Sequence, residues 1–86
     1  MARSEGLSAV TTETGSSADM LLHLGMMYCL GLEVEQNYVT AHKWLNIAAL
    51  KGSAEARHYR CEISREMTSG QIAEAQRRAR AWIDIH

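Results

Sequence analysis

The chain has no proline and no phenylalanine. Without proline, nothing in it breaks a helix from within or stiffens a loop. Only two cysteines are present, Cys29 and Cys61, too few for the disulfide framework of a small secreted domain. No run of about 18 apolar residues occurs, so no stretch reads as a membrane-spanning helix. The opening MARSEGLSAVTTETG lacks the apolar centre of a signal peptide. These absences make the cytoplasm the expected location. A charge excess is missing too: the formal net charge is −1, which argues against a strong grip on a nucleic-acid backbone. β-branched residues are sparse and scattered, and no strand pattern forms.

What is present favours helix. Hydrophobic residues make up 47% of the chain, enough for a core. Ala, Leu, Met, Glu, Gln and Arg are abundant, all good helix formers. Eighty-six residues allow one domain. A chain of this size buries only about 60–65% of the surface its unfolded form exposes, so its stability is marginal.

Residues 1–16, rich in Ser, Thr, Gly and Glu, read as a flexible N-terminal arm. Residues 17–86 read as the folded domain. A first helix is expected over about Ala18–Leu30, with Ser17 as N-cap, Asp19 in the first turn and Gly31 just past the end. It is apolar nearly all round, through Met20, Leu21, Leu22, Leu24, Met26, Met27, Tyr28 and Leu30. A two-layer protein needs one apolar stripe per helix, so the surplus implies that a second face is also covered. Gly25 inside this helix costs about 1 kcal/mol against Ala and points to a close backbone approach. Val34 in the following loop is expected to plug the helix pair.

Asn37 is a good N-cap for a second helix over about Tyr38–Lys51, with Ala41, Trp44/Leu45, Ala48 and Ala49 on the inner side and Trp44 as the expected core anchor. Gly52 ends it. Ser53 caps a third helix, about Ala54–Met67, with stripe Ala56, Tyr59, Ile63 and Met67. Thr68-Ser-Gly-Gln71 is a capping box. It opens a fourth helix, about Ser69–Asp84, with stripe Ile72, Ala75, Ala79 and Trp82/Ile83.

The chain echoes itself. Ala18-Asp-Met20 recurs as Ala54-Glu-Ala56, and Ala41-His-Lys-Trp44-Leu-Asn-Ile47 recurs as Ala79-Arg-Ala-Trp82-Ile-Asp-Ile85. Offsets of about 36 residues with two helices per unit fall in the size range of tetratricopeptide-type repeats.

One stretch carries a family likeness. The pattern Leu24-Gly25-x-x-Tyr28-x-x-Gly31-x-x-Val34-x-x-Asn37-Tyr38-x-x-Ala41-x-x-Trp44-x-x-x-Ala48-Ala49-x-x-Gly52-x-Ala54-x-Ala56 resembles a Sel-like repeat, the Sel-one family related to tetratricopeptide repeats. The match covers about residues 18–56. It departs from the family at Glu33, where a loop Gly is expected, at Glu35, where Pro is common, and at Asn37 and Thr40, where Asp and Lys are expected. The second unit is degenerate, with Arg60-Cys61 in place of Leu-Gly, and looks like a terminal cap. The general shape also resembles short single-repeat bacterial proteins of the family.

The resemblance implies an all-α fold of two antiparallel helix pairs, four helices in all, stacked as a repeat solenoid: repeat one over about 18–52 and a degenerate capping repeat over about 53–86. It also implies a role in protein–protein recognition and no enzyme activity. Solenoids need about three or more repeats for stability, and this chain has fewer than two. Together with the over-apolar first helix, that shortfall directs attention to Leu21, Met26, Met27 and Leu30 as partner-facing residues, with Tyr38 and His42 at the loop-to-helix junction. The expected partner is a second copy of the chain or another protein. Coverage by the arm around Leu7–Val10 is the competing arrangement.

Other chemistry finds little purchase. His58-x-x-Cys61 places two metal ligands on one helix face, but no second pair completes a site. No nucleophile elbow, ordered triad or phosphate-binding glycine loop occurs. Glu33 and Glu35 share a solvated loop. No catalytic residue, cofactor, metal or small-molecule substrate is expected. Arg57, Arg60 and Arg65 on the third helix and Arg77, Arg78 and Arg80 on the fourth alternate with Glu55, Glu62, Glu66 and Glu74, the spacing of an ion-paired, solvated face. The alternative function is a nucleic-acid-associated accessory protein using these arginines.

Overall fold

The computed structural model describes residues 17–86. The expected arm over 1–16 lies outside the described residues. Within them the regular structure is all helical: α1 (Ser17–Leu30), α2 (Tyr38–Leu50), α3 (Ala54–Ser64) and α4 (Ser69–Ile85). No helix among the described residues is long and apolar enough to cross a membrane.

Side chains set most of the boundaries. Asn37 Oδ1 accepts from Thr40 N–H at 3.0 Å and starts α2. Ser53 Oγ accepts from Ala56 N–H at 3.0 Å and starts α3. Thr68 and Gln71 form the capping box of α4: Thr68 Oγ1 accepts from Gln71 N–H at 3.1 Å, and Gln71 Oε1 accepts from Thr68 N–H at 2.9 Å. At the end of α1, Gly31 takes φ +74°, and the N–H groups of Gly31 and Leu32 both reach the Met27 carbonyl, at 2.8 and 2.9 Å.

The third helix is shorter than its pattern implied, ending at Ser64 rather than Met67. Glu66 N–H to Ile63 O and Met67 N–H to Ser64 O are three-residue bonds that tighten the chain into a turn. Thr68 must leave the helical conformation to cap α4, and it does so at ψ 161°. The side chain of Met67 stays buried although its backbone has left the helix.

The core is built around α2. Ala41, Leu45, Ile47 and Ala48 have no exposure, and Ala56, Ala75 and Ala79 close over them from α3 and α4. Trp44 is not the centre. It is half-buried, and Leu45 beside it takes the central place. The cause is Gly25: a Cβ there would stand 2.7 Å from Leu45 Cδ2 and 3.3 Å from the Leu45 backbone nitrogen. The helices meet so closely at this point that only Leu45 has room.

Trp44 packs edge-on against Trp82, ring centroids 5.5 Å apart and planes at 80°. Both α3 and α4 pack on α2 and scarcely touch each other. The expected second tight pair is therefore open: α2 serves as the shared support for all three other helices. Val34 is half-buried in the loop between α1 and α2.

Candidate functional site

The outward side of α1 follows from the inward one. Gly25 and Leu21 are buried, with Gly25 facing α2. At about 100° per residue, the positions opposite Gly25 are 20, 23, 27 and 30. They are Met20, His23, Met27 and Leu30, and Met20 and Leu30 are 64% and 60% exposed. Asp19, Met20, Leu21, His23, Leu24 and Met27 line an open hollow of about 520 Å³. His23 and Met27 carry it on into a smaller hollow of about 320 Å³ that also involves Leu32 and Glu33. The rim is acidic: residues 17–37 contain Asp19, Glu33 and Glu35 and no Lys or Arg.

The six residues expected to face a partner divide. Met27 and Leu30 lie on this outward face, and Met27 joins the two hollows. Leu21 belongs to the buried core and contributes only to the floor of the larger hollow. Met26 and Tyr38 are half-buried against the core. His42 is 2% exposed and offers a partner no surface. The sequence reading passed over Met20, His23, Leu24 and Leu32 as contact residues; the phase of Gly25 points to the first two.

His42 has a structural task. Ser64 Oγ donates to the Arg60 carbonyl at 2.7 Å. The hydroxyl is then left to accept from His42 Nε2, 3.1 Å away, which places the proton of the neutral ring on Nε2. In the neutral ring, Nδ1 is buried with no hydrogen-bond partner among the described residues. Burial holds the His42 pKa below its ordinary value, the Arg60 guanidinium adds to the depression, and a contact with the backbone carbonyl of His42 opposes it. Arg60 Nη1 in turn donates to Asn46 Oδ1 at 2.7 Å. These bonds tie α3 to α2 at two points.

A third hollow, about 320 Å³, lies between α2 and α4. Asn46, Leu50, Gln76, Ala79, Arg80 and Ile83 line it. Nearby, Lys43 Nζ sits 4.0 Å from the centre of the Trp44 ring. Burial lowers the Lys43 pKa, and the Arg78 charge lowers it further. Trp82 also stacks on His86, with centroids 4.1 Å apart.

The arginines are largely engaged. Arg77 and Arg78 both pair with Glu74, and Arg65 pairs with Glu62. Cys29 and Cys61 are free thiols, and burial raises the Cys29 pKa. Among the described residues no group of three or more His, Cys, Asp or Glu side chains gathers to hold a metal ion.

No family model, curated protein or solved structure matches this chain. The outward face of α1 is apolar, open and rimmed by acids.

Proposed function

We propose that the chain is a protein–protein interaction module, an adaptor, scaffold or oligomerisation unit in the cytoplasm with no catalysis of its own, and that a partner seats on the outward face of α1. The observation that carries this is the 520 Å³ hollow on the side of α1 opposite Gly25. Covering a large apolar side chain is worth about 1.5–3 kcal/mol. Among the described residues, nothing covers Met20 and Leu30, and that gain is left unclaimed. Methionines on such a face adapt to the shape of what they meet.

The Sel-like reading supports the same role. Glu33 sits at φ +66°, in the slot where the family pattern has a loop glycine. Asn37 N–H bonds the Tyr28 carbonyl, and Gly25 faces Leu45. Earlier positions of α1 thus meet later positions of α2, which supports reading the two helices as an antiparallel repeat pair. Trp44 and Trp82, at matching places in the sequence echo, touch each other. Residues 53–86 then form a worn second unit that leans on α2. The nucleic-acid alternative has less behind it, because Arg77 and Arg78 are already paired with Glu74.

Capture from a host lysate on the immobilised full chain, run beside Met20→Glu, tests the proposal. A protein retained by the wild type and lost from Met20→Glu is the expected result. An identical retained set on both, or none on either, overturns it. Met20 is mostly exposed, so an unchanged far-UV spectrum is expected of the variant.

A further inference from the structure

We infer that the α1 face accepts a second copy of this chain head to tail, seating in the furrow between α2 and α4 of its neighbour. The inference rests on the interaction-module reading and names the partner.

The furrow is itself an unfilled apolar site. Leu50 is 69% exposed at one wall and Ile83 is 39% exposed at the other, with Ala79 at the bottom. Two helices lying side by side leave a channel that a third helix can fill, and α1 offers Met20, Leu24 and Met27 as an i, i+4, i+7 ridge. The furrow and the α1 hollows share no residue. They also look in different directions, since α2 turns Leu45 toward Gly25 of α1 and Trp44 toward Trp82 of α4. One molecule can therefore use both at once.

Charge chooses between the possible pairings. The head region, residues 17–37, carries Asp19, Glu33 and Glu35 and no Lys or Arg. The furrow carries Arg80 in its lining, and Lys51 follows Leu50. Arg77 and Arg78 on the same helix are paired with Glu74, so the basic character of the furrow comes from Arg80 and Lys51, with Asp84 the one acid in the last turn of α4. A two-fold contact of α1 on α1 would set the acidic lining residues Asp19 and Glu33 against their own copies, and like charges across an interface are penalised. Head-to-tail docking brings the acidic rim to the basic furrow. Such a contact is heterologous and propagates unless the rotation closes a ring.

Sedimentation velocity on the full chain over a wide concentration range tests it, with two double variants on exposed side chains. Met20→Glu with Leu32→Glu blocks the head, and Leu50→Glu with Ile83→Glu blocks the tail. The wild type is expected to grow beyond a dimer as concentration rises, less readily in high salt. Each variant alone is expected to associate at least about 100-fold more weakly. An equimolar mixture of the two recovers one sound interface and stops at a heterodimer. If the tail double variant loses helicity, Leu50→Glu alone takes its place. A tail-blocked chain that still dimerises like wild type, a mixture that fails to associate, or a wild type monomeric throughout overturns the head-to-tail contact. In that last case, Met20-dependent capture of a host protein leaves the interaction-module reading standing, and its absence removes both.

Discussion

The contact of α2 with α1 and its contact with α3 are made of different material. Toward α1, α2 presents Leu45, seated against a glycine with no polar group between them. Toward α3 it presents His42 and Asn46, each hydrogen-bonded, to Ser64 and Arg60. The connections differ less: the α1–α2 loop holds two residues at positive φ, Gly31 and Glu33, and the α2–α3 turn holds one, Gly52. The apolar contact supplies most of the stabilisation through removal of surface from water. Buried hydrogen bonds add little net energy each but penalise any register that leaves them unmade. The first pair therefore holds the domain together, and the polar tie decides where α3 sits upon it.

Leu45→Ala is the most severe test of that division. Leu45 has no exposure, and truncating a buried Leu costs about 2–5 kcal/mol. A domain of this length is stable by about 4–13 kcal/mol, so a large part of the margin goes. Urea unfolding followed by far-UV circular dichroism is expected to show a midpoint shifted well below that of wild type. A midpoint within experimental error of wild type would break the comparison.

Gly25→Ala probes the same contact from the other side. The new Cβ would stand 2.7 and 2.8 Å from Leu45 side-chain atoms. Overpacking costs about 1–3 kcal/mol, against about 1 kcal/mol regained in helix propensity, leaving a net loss of about 1 kcal/mol. The double variant sharpens the point. In the Leu45→Ala background the clash is gone, so Gly25→Ala should become neutral or stabilising, a coupling that a double-mutant cycle measures. Additive losses would mean that the two residues do not share one close contact.

Much of this contact was legible in the sequence. A glycine inside a strong helical pattern signals a close approach, and Asn37, Ser53 and Thr68 announce helix starts through short-range bonds. The choice between Trp44 and Leu45 was not. Both fit the apolar stripe, and only the nearness of Gly25, 20 residues away in sequence, decides which enters. His42 was misplaced for the same reason: its acceptor, Ser64, belongs to another helix 22 residues on. The outward face of α1 was half legible. An all-apolar helix shows that a second face exists, but the residues composing it depend on the helical phase, which Gly25 sets. The open packing of α3 and α4 has no local signal, because both helices show ordinary amphipathic stripes.

The polar tie makes its own prediction with pH. His42 has an ordinary pKa of 6.5 when unfolded and a lower one when folded, from burial first and the Arg60 charge second. The facing groups named by the structure are Ser64 and Arg60 of α3. Below pH 6.5 the unfolded ring binds a proton that the folded ring refuses, so stability falls as pH drops toward the folded pKa and is complete above 6.5. Melting temperatures taken from pH 7.5 downward are expected to decline below 6.5, ahead of the carboxylate range. His42→Asn, which cannot titrate, is expected to be less stable at pH 7.5 but flat across that interval. An equal decline in both chains would remove His42 as the cause.

The smallest effect belongs to the loop that distinguishes the first unit from the second. Glu33 is held at φ +66°, where its Cβ crowds the following carbonyl at a cost of about 1–2 kcal/mol. Its side chain is exposed, and no hydrogen bond or ion pair from it to the described residues offsets that strain. Glu33→Gly removes the crowding while adding about 0.4–1 kcal/mol of freedom to the unfolded chain. The expected balance is a gain of about 0.5–1 kcal/mol, visible as a higher urea midpoint with an unchanged slope. Glu33→Ala keeps the Cβ and is expected to gain nothing, which separates backbone strain from the loss of a charge. The same substitution removes one acid from the α1 rim, so Glu33→Gly should raise the midpoint while weakening any association with a basic surface. Movement of both quantities in the same direction would show that the loop acts on binding through stability rather than through charge.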